Sequence, residues 1–262
     1  MSGSFLETID ERGVATLISN RPERHNCFDD ELIAGLGAAM KRYGANANVR
    51  AVVLASSGRS FSAGADLDWM RRMADQSFET NLADAGRLAA LMHRLDRLPK
   101  PTLALVQGPA CGGGVGLVAC CDVAIASERA SFALSEVTLG LTPATISPYV
   151  IDAIGARWAR RYFQSAEVFT AGRAKEIGLV HEVVGQAELA AAGEKVPEAI
   201  LQGAPGAQAA AKDPVFLCEG HMVDSALGEK TGRRIAERRT SAEGWEGIAA
   251  FLAKRAPNWP RG

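Results

Sequence analysis

Residues Val106 to Leu117 read VQGPACGGGVGL, with glycines at 108, 112, 113, 114 and 116. The uncharged run before it, Thr102 to Val106, reads as a short buried strand, and Val115 to Cys121 reads as the start of a buried helix. Glycines at a strand-to-helix turn let a ligand come close to the backbone and leave amide N–H groups free at a helix N-terminus. Such a turn suits an anion, either a resting phosphate or a negative charge that appears only during a reaction.

The chain around this turn alternates strand and helix. Phe5–Ile9 and Val14–Ser19 flank Asp10-Glu11-Arg12-Gly13 and read as a hairpin. Asp29 or Asp30 can cap a helix whose apolar face is Leu32, Ile33, Leu36 and Met40. Ala51 to Ala55 is wholly apolar, as expected of a strand covered on both sides. It runs through a polar loop into Phe61-Ser62-Ala63-Gly64-Ala65-Asp66, a second small-residue turn ahead of a helical stretch. Two turns in equivalent places can each aim a backbone N–H at one point. Strands are expected at 122–127, 131–134 and 179–184. Helices are expected around Leu82–Leu95, around Val150–Trp158 and after the cap Thr170. Beyond residue 195 the strand signals stop, and alanine-rich or charged helices take over, including 228–239 and 245–255. The expected organisation is a mixed α/β core over 1–195 and a helical region over 196–262.

Composition narrows the function. A net charge of −1 gives no reason to expect nucleic acid or an anionic membrane as partner. The N-terminus carries no basic segment followed by an apolar run, so no secretory signal is expected. Five cysteines at 27, 111, 120, 121 and 218 form no CxxC pair, which fits reduced, buried thiols in a cytoplasmic setting. Thr102 to Cys121 lacks charge and is long enough to span a bilayer, but its glycines, Pro109 and Gln107 fit a strand–turn–helix better. No clean GxGxxG or GK[ST] occurs, which sets aside dinucleotide and P-loop sites. Histidines 25, 93, 181 and 221 lack metal-ligand spacing, so no metal is expected.

Several motifs then fall in one register. Arg21-Pro22-Glu23-Arg24-His25-Asn26, Phe61-Ser62-Ala63-Gly64-Ala65-Asp66-Leu67, Gly112-Gly113-Gly114, Cys121-Asp122 and Phe132-Ala133-Leu134-Ser135-Glu136 follow one another, and Ala171–Val184 and Phe251–Arg255 extend the match. With these the chain resembles the crotonase (enoyl-CoA hydratase/isomerase) family over nearly its whole length. The resemblance implies an α/β spiral of ββα turns with a C-terminal helical region that builds homotrimers, often paired into hexamers. It implies acyl-CoA substrates and no separate cofactor, coenzyme A being part of the substrate. It assigns the thioester-binding amides to Ala65 and Gly113. Arg24 would lie near the CoA phosphates, Ala63, Asp66 and Leu67 around the adenine, and Lys254 at a 3′-phosphate across a subunit boundary. The physics is consistent with this. A thioester enolate places charge on oxygen, and losing one preorganised donor costs about 3 kcal/mol in comparable enzymes.

Two-carboxylate hydratases of this family carry a glutamate three residues past the oxyanion glycine and another about twenty residues further on. The first position here is Gly116 and the second is Glu136. Asp122 matches a family aspartate expected to be structural. A lone Glu136 can move protons in a hydratase, where it deprotonates water, or in an isomerase, where it shuttles a proton between C2 and C4. An apolar wall of Phe132, Leu134 and Val137 would raise its pKa. A third, non-enzymatic reading is an acyl-CoA-binding or scaffold protein that lost activity along with the acid at position 116. The stretches CCDVAIAS, FALSEVTLGLTPATISPYV and GADLDWMRRM are similar to the bacterial methylglutaconyl-CoA hydratase branch, which implies fatty acid or leucine catabolism and a second substrate carboxylate. Arg71 or Arg72 is the candidate partner for that carboxylate. The run Pro143–Ser147 departs from the glycine-rich version in ordinary hydratases.

Overall fold

The computed structural model describes residues 4–259. In chain order the elements are β1 (Phe5–Ile9), β2 (Val14–Ser19), α1 (Asp30–Ala45), β3 (Ala51–Ser56), α2 (Leu67–Ala74), α3 (Phe78–Asp96), β4 (Thr102–Val106), β5 (Ala110–Cys111) and α4 (Gly113–Cys120). They continue with β6 (Val123–Ser127), β7 (Ser131–Ala133), α5 (Ser147–Ser165), β8 (Phe169–Thr170), α6 (Ala171–Glu176), β9 (Glu182–Val184) and α7 (Leu189–Leu201). The last three are α8 (Pro205–Cys218), α9 (Ser225–Arg239) and α10 (Ala242–Leu252).

The main sheet has the order β1-β2-β3-β4-β6-β9, antiparallel between β1 and β2 and parallel from there on. Its apolar runs serve two faces at period two. Ala15, Leu17, Val52, Leu54, Ala104 and Val106 join the large core with α1, α3 and α4. Val14, Val53, Leu103 and Ile125 turn the other way, against Leu189, Val196 and Leu201 of α7. Burial on both faces is why the strands read as continuous apolar runs.

A second ladder lies beside the first and is built from scraps. Phe28 bridges Ala65 and Ser62 bridges Ala110, both in parallel. Beyond these, β5 pairs β7 in parallel, and β7 pairs β8 antiparallel. Each turn of the chain lays one strand in the main sheet, then one short piece in the second ladder, then a helix. Strand β2 is followed by Phe28 and α1, β3 by residues 62–65 and α2, β4 by β5 and α4, and β6 by β7 and α5. This repetition makes the spiral, and it brings successive strand-to-helix turns side by side.

Most expected elements occur within a few residues of their positions. The expected strand 179–184 shortens to Glu182–Val184, because Leu179 and Val180 donate back to Ala174 O around the left-handed Gly178. The helix expected at 245–255 starts at Ala242, capped by Ser241, and ends at Leu252. Position 195, expected to divide core from helical region, falls inside α7. Among α8–α10, Lys212 ties α8 to the core, bonding Leu98 O at 2.9 Å and the Asp122 carboxylate at 2.7 Å. The expected outer limits at 1 and 262, and the N-terminal signal reading at Met1–Gly3, lie partly outside the described residues. Cys27, Cys120 and Cys121 are buried thiols, but Cys218 is exposed at the end of α8, contrary to the expectation of burial. No helix among the described residues is long and apolar enough to cross a membrane.

Candidate active site

The glycine stretch that ends β4 is a junction of three turns of the spiral. Gly108 lies so close to the preceding turn that a β-carbon there would stand 1.9 Å from Arg59 O, so no other residue fits without moving backbone. Cys111 N–H donates to Ser62 O at 2.8 Å, and Gly112 N–H donates to Ala133 O at 3.0 Å. These bonds consume two amides and stitch the 62–65 turn and β7 onto the loop. Gly112, at φ +51°, then reverses the backbone, and α4 begins. The N–H of Gly113 sits at the first helical position and has no intrahelical acceptor. The first bond back to this end is Gly116 N–H to Gly112 O at 3.2 Å.

Ala65 is oriented by its neighbours. Phe28 N–H donates to Gly64 O at 2.6 Å, and Asp66 N–H donates to Phe28 O at 2.7 Å. In such a parallel bridge the central residue turns its own N–H and C=O to the opposite side. The Ala65 N–H therefore points away from Phe28. A β-carbon on Gly64 would stand 3.3 Å from Cys111 O, which brings this turn against the glycine loop.

Glu136 opens a tight 3₁₀ turn, Glu136–Leu139, after β7. A β-carbon on Gly112 would stand 3.1 Å from Glu136 Oε1 and 3.9 Å from Gly64 Cα, so the carboxyl group lies against the glycine loop, which the 62–65 turn also borders. Its Oε2 is buried with no hydrogen-bond partner among the described residues. Burial pushes the carboxyl above the ordinary glutamate range, and a bond from its own amide offsets this in part. The neighbouring Cys111 thiol is also pushed up, by burial and then by the Glu136 charge. The expected apolar wall is only partly there. Phe132 and Leu134 are fully buried in the main core, while Val137 is exposed.

Of the residues expected at the site, Ala65, Gly113 and Glu136 are brought together. Arg24, Asp66 and Leu67 share one edge nearby. The Arg24 guanidinium is 3.0 Å from Asp66 Oδ2 and 3.9 Å from Asp68. The Asp66 carboxylate faces inward and caps α2 through Asp68 N–H and Trp69 N–H. Burial would raise its pKa, but the bonds from Trp69, Cys27 and Asp68 and the Arg24 charge outweigh it and hold the group at about 2. Ala63 and Leu67 are exposed. Lys254 lies past the end of α10 at φ +52°, and no hydrogen bond or ion pair among the described residues joins it to the Arg24–Leu67 edge. Arg71 pairs with Asp68 and Arg72 with Asp30, all exposed. Asp122 accepts from Thr102 N–H at 2.7 Å and from Lys212, a structural junction.

One feature of the site had no counterpart in the sequence reading. A β-carbon on Gly116 would stand 2.4 Å from Ile146 Cγ2 and 3.2 Å from Met92 Cε. Ile146 and Met92 thus occupy the side-chain space of position 116. The departure of Pro143–Ser147 from the glycine-rich pattern was the available signal.

The family profile described as enoyl-CoA hydratase/isomerase matches residues 10–262. An enoyl-CoA hydratase structure from Shewanella pealeana is 44% identical, with a TM-score of 0.95, covering 98% of this chain and 96% of that one. The 1,2-epoxyphenylacetyl-CoA isomerase of Escherichia coli is 31% identical over 260 residues, 97% of this chain and 98% of that protein. The mevalonyl-coenzyme A hydratase of Aspergillus fumigatus is 30% identical over 248 residues, 94% of this chain and 91% of that protein. The spiral, the paired glycine turns and these likenesses together make the chain a member of the enoyl-CoA hydratase/isomerase family.

Proposed function

We propose that this chain hydrates a 2-enoyl-CoA thioester to a 3-hydroxyacyl-CoA, with Glu136 as its single acid–base residue. The observation that carries the reading is the unpartnered Glu136 oxygen beside two turns whose amides, from Ala65 and Gly113, have no acceptor on their own element. The carboxylate takes a proton from water as the oxygen adds to C3. The electron pair of the double bond moves onto the thioester oxygen, which the two N–H groups stabilise. The new carboxylic acid then returns a proton to C2, so one water is added and the enzyme is regenerated.

The coenzyme A part runs along Arg24, Ala63, the Asp66 backbone and Leu67, with Lys254 supplied by a neighbouring subunit of a homotrimer or hexamer. The domain assignment follows: 1–195 binds and reacts, and 196–262 assembles. The compartment is the cytoplasm, and the enzyme uses no cofactor beyond the CoA of its substrate.

A second reading has its own support. The apolar filling of position 116 by Ile146 and Met92 leaves one acid and little to hold a water, which suits an isomerase shuttling a proton between C2 and C4. Crotonyl-, methylglutaconyl- and 3-enoyl-CoA offered in H₂¹⁸O separate the readings. Label in a 3-hydroxyacyl product supports hydration. A shifted double bond without label overturns it in favour of isomerisation. Turnover of the methylglutaconyl thioester alone would identify a branched dicarboxylic substrate. Binding of all three with no turnover would mean an acyl-CoA binder.

A further inference from the structure

We infer that Ile146 is a positioning residue for Glu136, acting as a knob locked into the hole left by Gly116 on helix α4. The inference rests on the reading of Glu136 as the acid–base group. The segment 135–145 that carries Glu136 is exposed from Val137 to Thr142, and Pro143 is buried within it. Most of its backbone hydrogen bonds are internal, Thr138 to Ser135, Gly140 to Val137, Leu141 to Glu136 and Ala144 to Thr142, and at its far end Ala144 O accepts from Ser147 N–H at the start of α5. Leu139 and Leu141 are exposed.

The segment is clamped at its two ends, and both clamps are on the helix that offers the Gly113 amide. On the entry side, Gly112 N–H donates to Ala133 O at 3.0 Å. On the exit side, Ile146 is 1% exposed, and its Cγ2 stands 2.4 Å from where a Gly116 β-carbon would be. Met92 Cε closes the same hole at 3.2 Å. Ile146 also begins α5, whose next turn it starts by accepting from Val150 N–H at 3.1 Å. A β-branched side chain has few rotamers and holds its place well. Gly116 and Ile146 therefore fix the distance between α4 and the far end of the Glu136 segment, and with it the reach from acid to oxyanion.

The test is a knob-and-hole cycle on the full-length protein, comparing Ile146→Ala, Ile146→Val, Gly116→Ala and Gly116→Ala/Ile146→Ala. Misplacing a reacting group by a fraction of an ångström to an ångström costs up to about a hundredfold in rate. Ile146→Ala should lower kcat about ten- to hundredfold with KM within about threefold, and should move the acid limb of the kcat profile toward the ordinary carboxylate range as water reaches Glu136. Ile146→Val keeps Cγ2 and should retain kcat within about threefold of the parent. Gly116→Ala pushes on the knob from the other side and should also lower kcat. The double variant should regain most of the loss. Parental kcat and pH profile in Ile146→Ala would overturn the inference, as would a double variant no better than either single. If Ile146→Ala does not fold, Gly116→Ala and the double variant decide alone. Retained turnover in Glu136→Gln would instead overturn the acid–base assignment itself, so the two failures are distinguishable.

Discussion

Glu136 Oε1 lies 3.1 Å from the point a β-carbon on Gly112 would occupy. Glycine at 112 is thus required twice, by the left-handed backbone and by the room it leaves for the acid. Glu136→Gln keeps the shape and removes the proton transfer, and should lower kcat by about 10² to 10⁴ with CoA binding retained. Stopped-flow turnover and calorimetric CoA titration check both halves.

The pH dependence follows from the same burial. The Glu136 pKa is raised in the folded state, so the native chain holds that proton at a pH where the unfolded chain has released it. Stability from this group falls as pH rises through the two values, and the cost persists at neutral pH. Glu136→Gln should therefore melt at or above the parent at pH 7, with the advantage vanishing in acid. The base must be ionised to act, so activity should rise with pH through a midpoint above the ordinary glutamate range.

The two turns of this candidate site were legible in the sequence because the donors proposed there are main-chain amides, and glycine and alanine at a strand–helix turn mark where such amides can be free. Strands β3 and β4 were legible because burial on both faces makes them almost continuously apolar, and β2 because a turn separates it from β1. The second ladder was not fully legible, because β5 and β8 have two residues each and Phe28 and Ser62 contribute single bridges, too short for any period to register. That the Asp66 carboxylate caps α2 and pairs with Arg24 was not legible, since capping depends on backbone direction that sequence does not display. Ile146 on Gly116 joins residues thirty positions apart, and only the fold brings them together.

Gly113→Pro removes one of the two proposed oxyanion donors. Proline is well tolerated at the first helical position, where its missing N–H leaves no helix bond unmade. The Gly113 β-carbon position has Phe28 ring atoms at 3.4–3.6 Å, ordinary contact distances. The variant should fold with a near-parental circular dichroism spectrum and lose about 10² to 10³ in kcat. A parental kcat would show that this amide does not touch the reacting oxygen.

Asp66→Ala removes a helix cap and the partner of Arg24 together. Loss of such a cap costs about 1 kcal/mol, and the freed Arg24 and Cys27 add to it. Because the Asp66 pKa is depressed to about 2, its stabilisation is present near neutral pH and is lost as pH falls from the ordinary aspartate range toward 2. Urea unfolding at pH 7 and pH 3 should show the gap between parent and variant narrowing in acid. KM for the CoA thioester should rise, since α2 borders the Arg24 edge.

Helix α10 exposes Trp245 at 68% and Phe251 at 82%, with Ile248 and Leu252 beside them. So much apolar surface on one short helix needs a partner, and the proposed trimer supplies one. Phe251→Asp should shift the mass seen by light scattering from three chains toward one, and should raise KM if Lys254 reaches a neighbour's CoA. An unchanged mass would place assembly elsewhere.

Gly116→Glu asks whether a second acid can be installed by substitution alone. The position lies on α4, one turn past the Gly113 amide. The space is already taken, however: the new β-carbon would stand 2.4 Å from Ile146 Cγ2 and 2.9 Å from Ile146 Cβ, both in the core. Overpacking of this kind costs about 1–3 kcal/mol, and burying a carboxylate without a partner adds to it. The variant should therefore lose thermal stability and kcat together, rather than gain hydration. Opening the space first, with Ile146→Gly, should restore part of the stability, because the collision is with that side chain and only secondarily with Met92. Thermal melts of parent, single and double variants check this order. A Gly116→Glu single variant as stable as the parent would mean that α4 and α5 can separate, and that the packing of Ile146 on Gly116 imposes no constraint on the site.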